Sequence, residues 1–181
     1  MISVINKLIL YPTIIYGRAM EFMGFRQWYT RIDEHCVLGA LPMRHNFELI
    51  IKNEKINAVL TLNESHELSY SIPALEWKSN QVDYKQVAVT DYTGVATLDQ
   101  INESVDFILK HKQLNQTVYV HCKAGRYRSA LIVACYLVNS RKMAPQEAIE
   151  FIEKKRSHVL LRMPRQLGAL QNYYDHLKAK N

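Results

Sequence analysis

The sequence predicts an α/β fold with a central, mostly parallel sheet flanked by helices. Two observations carry this. Short β-branched runs alternate with longer helical patterns along the chain. In addition, the run "TVYV" leads through a glycine-containing loop into "SALIVACYLVNSRK", a helical stretch apolar nearly all round, as expected of a helix buried against a sheet. The chain has 181 residues, 48% of them hydrophobic, which suits one domain with its own core. No repeat, low-complexity tract or Pro/Gly/Ser-rich linker argues for a second domain.

The chain opens on "MISVINKLILYPTIIYGRAMEF", which is apolar and carries Lys7 and Arg18 but no acid before Glu21. Lys7 and Pro12 break the apolar run well short of the roughly 20 residues of a spanning helix. No small-residue cleavage site follows a clean apolar stretch, so a secretory signal is a poor fit. Residues 1–30 read either as an acid-poor targeting or membrane-surface segment, or as a first helix packed on the domain. Residues 31–181 form the domain proper.

Within it, "CVLGAL", "NAVLTL" and "KQVAVT" read as strands, with the helical "FELIIKNEK" between the first two. A helix from about Leu98 to Lys112 opens at Thr97 with Gln100 three residues on, a capping-box arrangement, and Ile101, Val105 and Ile108 recur at helical spacing. Asp99 and Glu103 there are a dipole partner and surface charge. Beyond the buried helix, Pro145 suits a first helical position, and "QEAIEFIEKKR" sets acids early and bases late, as the macrodipole prefers. A last helix, from about Arg165 to Lys178, closes the domain.

Lysine and arginine number 23 against 17 acids. This excess is scattered, with no arginine-rich tract, so it suits an anionic substrate or membrane surface and does not call for nucleic acid; a solvated, slightly basic surface is the plain alternative. Cys36, Cys122 and Cys135 show no CxxC spacing. Neither a disulfide framework nor a zinc knuckle is indicated, and a reducing compartment follows.

The stretch that carries chemistry is "HCKAGRYRS", residues 121–129. A bare Cys-x5-Arg pair is weak, since chance supplies one in roughly one such chain in six. Cys135 and Arg141 share the spacing, but they enclose "YLVNS", a glycine-free continuation of a buried helix; Cys135 is therefore expected in the core. Cys122 stands instead between a strand end and a helix start, with Gly125 in the loop. Such a loop can turn successive N–H groups inward as an anion nest, to which the helix dipole adds. A cysteine there is expected as a thiolate near neutral pH.

Each residue then has a role its chemistry explains. Cys122 is placed to attack phosphorus in line, while the planar fork of Arg128 holds two equatorial oxygens. Ser129 either donates to the Cys122 sulfur, improving it as a leaving group, or caps the helix, or does both. His121 is expected to be buried and to brace the loop; no second histidine or carboxylate stands at ligand spacing, so no metal is expected. Ala124, Gly125 and Tyr127 complete the substrate-binding loop. Lys123 and Arg126 add two positive charges, of use to a substrate with a second phosphate, or else simply exposed loop charges. Arg162 and Arg165 either line the same mouth or belong to a solvated loop. A leaving alkoxide needs a proton, and Asp91, directly after "QVAVT" and before "YTG", is the candidate acid, with an ordinary Asx turn as the alternative. Asp83 and Glu64 are rivals that follow a strand signal less closely.

On these residues, "HCKAGRYRSA" resembles the His-Cys-x5-Arg-Ser signature of the cysteine-dependent phosphatases in their dual-specificity branch. With "VTDYTGVATLDQI", "VYVHCKAGRYRSA" and "RSHVLLRMPRQL", the chain over about residues 35 to 178 is similar to the mitochondrial protein-tyrosine-phosphatase-like family that dephosphorylates phosphatidylglycerophosphate. The resemblance implies a dual-specificity-phosphatase fold for residues 31–181, a cysteinyl-phosphate intermediate, no metal or other cofactor, and phosphatidylglycerol as a product feeding cardiolipin synthesis. It implies Cys122 as nucleophile, Arg128 as phosphate clamp and Asp91 as general acid. Two departures are Tyr127, where a small residue is expected, and Ala144, where relatives often carry a capping serine. A monomer acting on anionic phospholipid at a membrane surface is expected, on the matrix side of the inner mitochondrial membrane or, alternatively, in the cytoplasm. The alternative function is a dual-specificity protein phosphatase or a phosphoinositide phosphatase.

Overall fold

The computed structural model describes residues 12, 15, 19, 20, 23, 24, 26–91 and 94–180. The reading of residues 1–30 therefore lies mostly outside the described residues, as do Tyr92 and Thr93 of the turn after Asp91.

Five strands form one sheet: β1 (Tyr29–Arg31), β2 (Cys36–Gly39), β3 (Ile56–Thr61), β4 (Asp83–Gln86) and β5 (Thr117–His121). Their order across the sheet is β1-β2-β5-β3-β4. β2, β5, β3 and β4 run parallel, and only the edge strand β1 is antiparallel, with Tyr29 opposite Gly39 and Arg31 opposite Val37. Helices α1 (Arg44–Glu54), α2 (Ala74–Ser79), α3 (Leu98–Gln113), α4 (Arg128–Arg141), α5 (Pro145–Lys155) and α6 (Pro164–Lys180) surround it, with a 3₁₀ segment at Ser65–Tyr70.

The two faces follow from the period of two along each strand. Cys36, Leu38, Ala58, Leu60, Val118 and Val120 join a core cluster with Val105 and Ile108 of α3 and almost every residue of α4. Val37, Val59 and Tyr119 point the other way, onto Phe47 and Ile50 of α1 and Trp77 of α2. Parallel strands covered on both faces are expected to be apolar throughout, and "TVYVH" is buried at all five positions. The all-round apolar pattern of α4 has the same cause, for it lies between the sheet and α3, α5 and α6.

Two helix starts match the sequence closely. At α3, Thr97 Oγ1 accepts from Gln100 N (3.2 Å) and Gln100 Oε1 from Thr97 N (3.0 Å). At α5, Ala144 has no oxygen to offer, yet Glu147 still accepts from its N–H at 2.8 Å, which keeps half of a capping box.

The structure corrects some elements. The strand expected at "KQVAVT" starts earlier, at Asp83, and its ladder ends at Gln86; residues 87–90 still follow β3, through Val87 N to Thr61 O and Val89 N to Leu62 O. β1, α2 and the 3₁₀ segment carry no periodic signal long enough to predict them. The C-terminal ends of the parallel strands all face one way, and the loops leaving β5, β3 and β4 carry Cys122, Glu67 and Asp91 respectively. This is the end at which open α/β sheets bind ligands.

Candidate active site

The loop after β5 is held from outside by its carbonyls. Leu62 N donates to His121 O (2.9 Å), Leu41 N to Lys123 O (3.2 Å), Leu160 N to Arg126 O (3.1 Å) and Leu131 N to Tyr127 O (2.9 Å). Arg156 Nε donates to Gly125 O at 3.1 Å. With these carbonyls drawn outward, the peptide planes turn their N–H groups toward the inside of the loop, the arrangement of an anion nest. Gly125 makes the curl possible, at φ 64°. A Cβ on it would lie 2.5 Å from Gly39 O, so neither the dihedral nor the space admits a side chain.

Cys122 sits at the base of this bowl, 3% exposed. Ser129 Oγ donates to its Sγ at 3.2 Å. Burial alone would raise the thiol pKa, but the Arg128 guanidinium and the side-chain and backbone hydrogen bonds from Ser129 outweigh it and hold the thiol below its ordinary value. Cys135 shows the opposite balance: fully buried with no cation beside it, its thiol is pushed far up. Identical spacing to an arginine thus gives one thiol held below its ordinary pKa and one inert core residue.

Arg128, the first residue of α4 and 6% exposed, is gripped by a residue the sequence did not single out. Its Nη1 and Nη2 donate to Glu67 Oε2 and Oε1 at 2.7 and 2.9 Å. Nη1 also donates to Val89 O (2.9 Å) and Leu62 O (3.3 Å). Burial would weaken its charge, but Glu67, Cys122 and Asp91 more than offset this and keep it firmly protonated. Glu67 is held below the usual carboxylate range against the same burial, by Arg128. Asp91 bridges the rim, with Oδ1 3.1 Å from Arg128 Nη2 and Oδ2 3.3 Å from Lys123 Nζ. The rivals lie elsewhere: Asp83 opens β4 at the opposite end of the sheet and meets His111 and Lys110, and Glu64 caps the 3₁₀ segment.

The remaining expected residues fall into place around this group. His121 closes β5, buried, with Nδ1 3.4 Å from Cys122 O; burial depresses its pKa to about 3, so the ring is neutral. Ser129 acts on Cys122 and is not a cap, because α4 begins one residue earlier and its N-cap is Tyr127. Lys123 is nearly buried beside Asp91, and Ala124 is half-buried in the loop. Arg126 turns to the segment after α5, with Nε donating to His158 O at 3.0 Å and its guanidinium over the Tyr127 ring. Tyr127, Asp91 and Arg128 line a pocket with Val95, Met163 and Arg165. Arg165 therefore belongs to the mouth, whereas Arg162 lies outside that lining, three-quarters exposed.

Sequence reasoning missed Glu67 and also Arg156, which it read only as a base near a helix end. Arg156 is 2% exposed and donates to Gln27 O (3.0 Å), Trp28 O (3.2 Å) and Thr30 Oγ1 (3.0 Å) as well as to Gly125 O. Burial, with Arg126 and Arg26 adding to it, pulls its pKa down to about 10. Among the described residues, no group of three or more His, Cys, Asp or Glu is placed to hold a metal ion. A thiolate in an amide nest, a buried arginine fork and a carboxyl group at the rim can carry out phosphoryl transfer through the sulfur.

Comparison with known proteins agrees with this chemistry. Residues 44–176 match the sequence family described as dual specificity phosphatase, catalytic domain. The chain is 40% identical over 178 residues to the phosphatidylglycerophosphatase and protein-tyrosine phosphatase 1 of Rattus norvegicus, covering 96% of this chain and 92% of the rat protein. It is 34% identical over 182 residues to the phosphatidylglycerophosphate phosphatase PTPMT1 of Arabidopsis thaliana, covering 100% of this chain and 52% of the plant protein. A crystal structure of PTPMT1 in complex with PI(5)P superposes with a TM-score of 0.81 at 39% identity, over 85% of this chain and 99% of that one.

Proposed function

The chain belongs to the dual-specificity phosphatase family, and from this premise we propose that it is a phosphomonoesterase converting phosphatidylglycerophosphate to phosphatidylglycerol, the step that supplies cardiolipin synthesis. The observation that carries the chemistry is the convergence of Cys122, Arg128 and Asp91 on one bowl. The substrate comes from the likeness to relatives whose names state that activity.

In the first step the Cys122 thiolate attacks phosphorus in line with the glycerol oxygen. The S–P bond forms as the P–O bond breaks, and Asp91 passes its proton to the departing alkoxide. Arg128 and the loop amides hold the equatorial oxygens. Asp91 already meets Arg128 Nη2 at 3.1 Å, so the acid stands beside the phosphate it must serve. In the second step water attacks the cysteinyl phosphate, Asp91 takes a proton from it, and the S–P bond breaks. The Ser129 hydroxyl, 3.2 Å from Sγ, stabilises the thiolate that leaves.

The work takes place on anionic phospholipid at a membrane surface, on the matrix side of the inner mitochondrial membrane. No helix among the described residues is long and apolar enough to cross a membrane. A second reading, phosphoinositide or protein phosphatase, is favoured by the PI(5)P complex of the similar structure and by the double name of the rat protein. Purified protein offered phosphatidylglycerophosphate, PI(5)P and a phosphotyrosine peptide at equal phosphate concentration decides between them. Phosphatidylglycerophosphate is expected to lead the peptide by about 10²-fold in kcat/KM, the scale of one or two charge-assisted contacts.

A further inference from the structure

We propose that the end of the domain holding the phosphate loop is a docking face for an anionic phospholipid bilayer. Its rim is the start of α6, with Met163 and Leu167 meeting the apolar boundary and Arg162 and Arg165 meeting lipid phosphates. The proposal rests on the phospholipid reading above and adds to it which surface meets the membrane.

Apolar exposure is the first observation. Met163 and Leu167 are 40% and 39% exposed. They lie one helical turn apart, since Leu167 N donates to Met163 O at 3.1 Å. Met163 lines the pocket shared by Asp91, Tyr127 and Arg128, and so do residues 94–96, shortly after which Leu98 opens α3 at 37% exposure. Both helices therefore start at the pocket mouth and leave apolar side chains uncovered there. Such side chains next to cations are the composition of an interfacial segment.

Charge is the second observation. From Lys154 to Tyr174 the chain carries five lysines and arginines and no acid. Arg162 meets Glu153 at 3.4 Å, yet three-quarters of its side chain faces solvent. At the opposite end of the sheet Asp33, Glu54 and Asp83 meet Arg141, Arg31 and Lys110, so these three cations are paired within the fold. A cationic rim on one end orients the domain toward an anionic surface.

Topology is the third. Because β1 is antiparallel and Tyr29 stands opposite Gly39, the chain enters the sheet at the phosphate-loop end. Gln27 and Trp28 thus stand at the domain entry on the pocket side, and the sequence before them is apolar with Glu21 its only acid. Arg156 ties that entry to the loop, donating at once to Gln27 O, Trp28 O and Gly125 O.

The test compares the full-length wild type with the double variant Arg162→Glu/Leu167→Glu, neither residue lining the pocket. The control is Leu114→Glu, which sits before β5 at the far end and is 59% exposed. Phosphatidylcholine vesicles with and without phosphatidylglycerol are the probe. The wild type and Leu114→Glu should co-float with the anionic vesicles, while the double variant loses at least about tenfold in binding and keeps wild-type hydrolysis of a soluble aryl phosphate. Amide exchange of the wild type checks the same face without a substitution: residues 160–168 should slow on anionic vesicles, and residues 113–116 should not. Undiminished binding by the double variant, equal loss in Leu114→Glu, or exchange unchanged at 160–168 would overturn the docking face. Protein that docks as described but hydrolyses no phospholipid would instead remove the functional reading.

Discussion

Glu67 and Arg128 meet end to end, with both carboxylate oxygens on both terminal nitrogens of the guanidinium at 2.7 and 2.9 Å and only 4% of either side chain exposed. The pair fixes the fork that receives phosphate. A buried charge left without its partner costs about 3–5 kcal/mol. Glu67→Gln keeps the shape and removes the charge, so it should lower unfolding free energy on that scale and slow aryl phosphate turnover at least about tenfold. Denaturant unfolding and steady-state kinetics check both.

Ser129→Ala removes the hydroxyl that donates to Cys122 Sγ. Because that bond stabilises the thiolate, its loss should raise the thiol pKa. The pH profile of inactivation by iodoacetate should move up accordingly. Breakdown of the phosphoenzyme should slow more than its formation, and an initial burst of alcohol should appear in stopped flow.

The nucleophile and its loop were legible in the sequence because the motif that carries them is contiguous: Cys122 and Ser129 are seven residues apart, and strand, glycine loop and buried helix follow in order. Glu67 reaches Arg128 across 61 residues, and Arg156 reaches Trp28 across 128; no periodicity records such pairings. Arg156 looked like an ordinary base near a helix end, and only the fold shows it buried against four oxygen acceptors. β1 has three residues, too few for any alternation to show. "KQVAVT" misled because residues 87–90 continue alongside β3 after the ladder has ended.

Arg156 is a positioning residue, joining Gly125 O to the entry of β1. Arg156→Lys keeps the charge but not the fork, so it cannot hold four acceptors at once. The loop should relax, and the iodoacetate pH profile of Cys122 should shift upward with kcat falling more than KM rises. A variant that loses stability but leaves that profile in place would mean that Arg156 only supports the fold.

His121 links stability to pH. Its pKa is depressed to about 3 in the fold against about 6.5 in an unfolded chain. Below 6.5 the unfolded state takes up a proton that the folded state refuses. Stability is therefore complete well above pH 6.5 and falls progressively from there toward pH 3, by a total on the order of 5 kcal/mol. His121→Asn, which cannot titrate, should flatten that part of the curve in denaturant melts across the range.

Asp91→Asn tests the acid. Without a proton to give, turnover should fall about 10²-fold for an alkyl phosphate, much less for an activated aryl phosphate, and the alkaline limb of the pH profile should disappear. An equal loss on both substrates would make the link from Asp91 to Lys123 and Arg128 structural only.

The most direct test of the central claim is rapid quenching with phosphatidylglycerophosphate labelled in its terminal phosphate. Labelled phosphate should appear covalently on Cys122 within one turnover and pass to inorganic phosphate, while Cys122→Ser takes up none and Cys135→Ser behaves as the wild type. Label carried by another residue would contradict the mechanism. A Cys122 labelled by a phosphotyrosine peptide but never by the lipid would contradict the substrate.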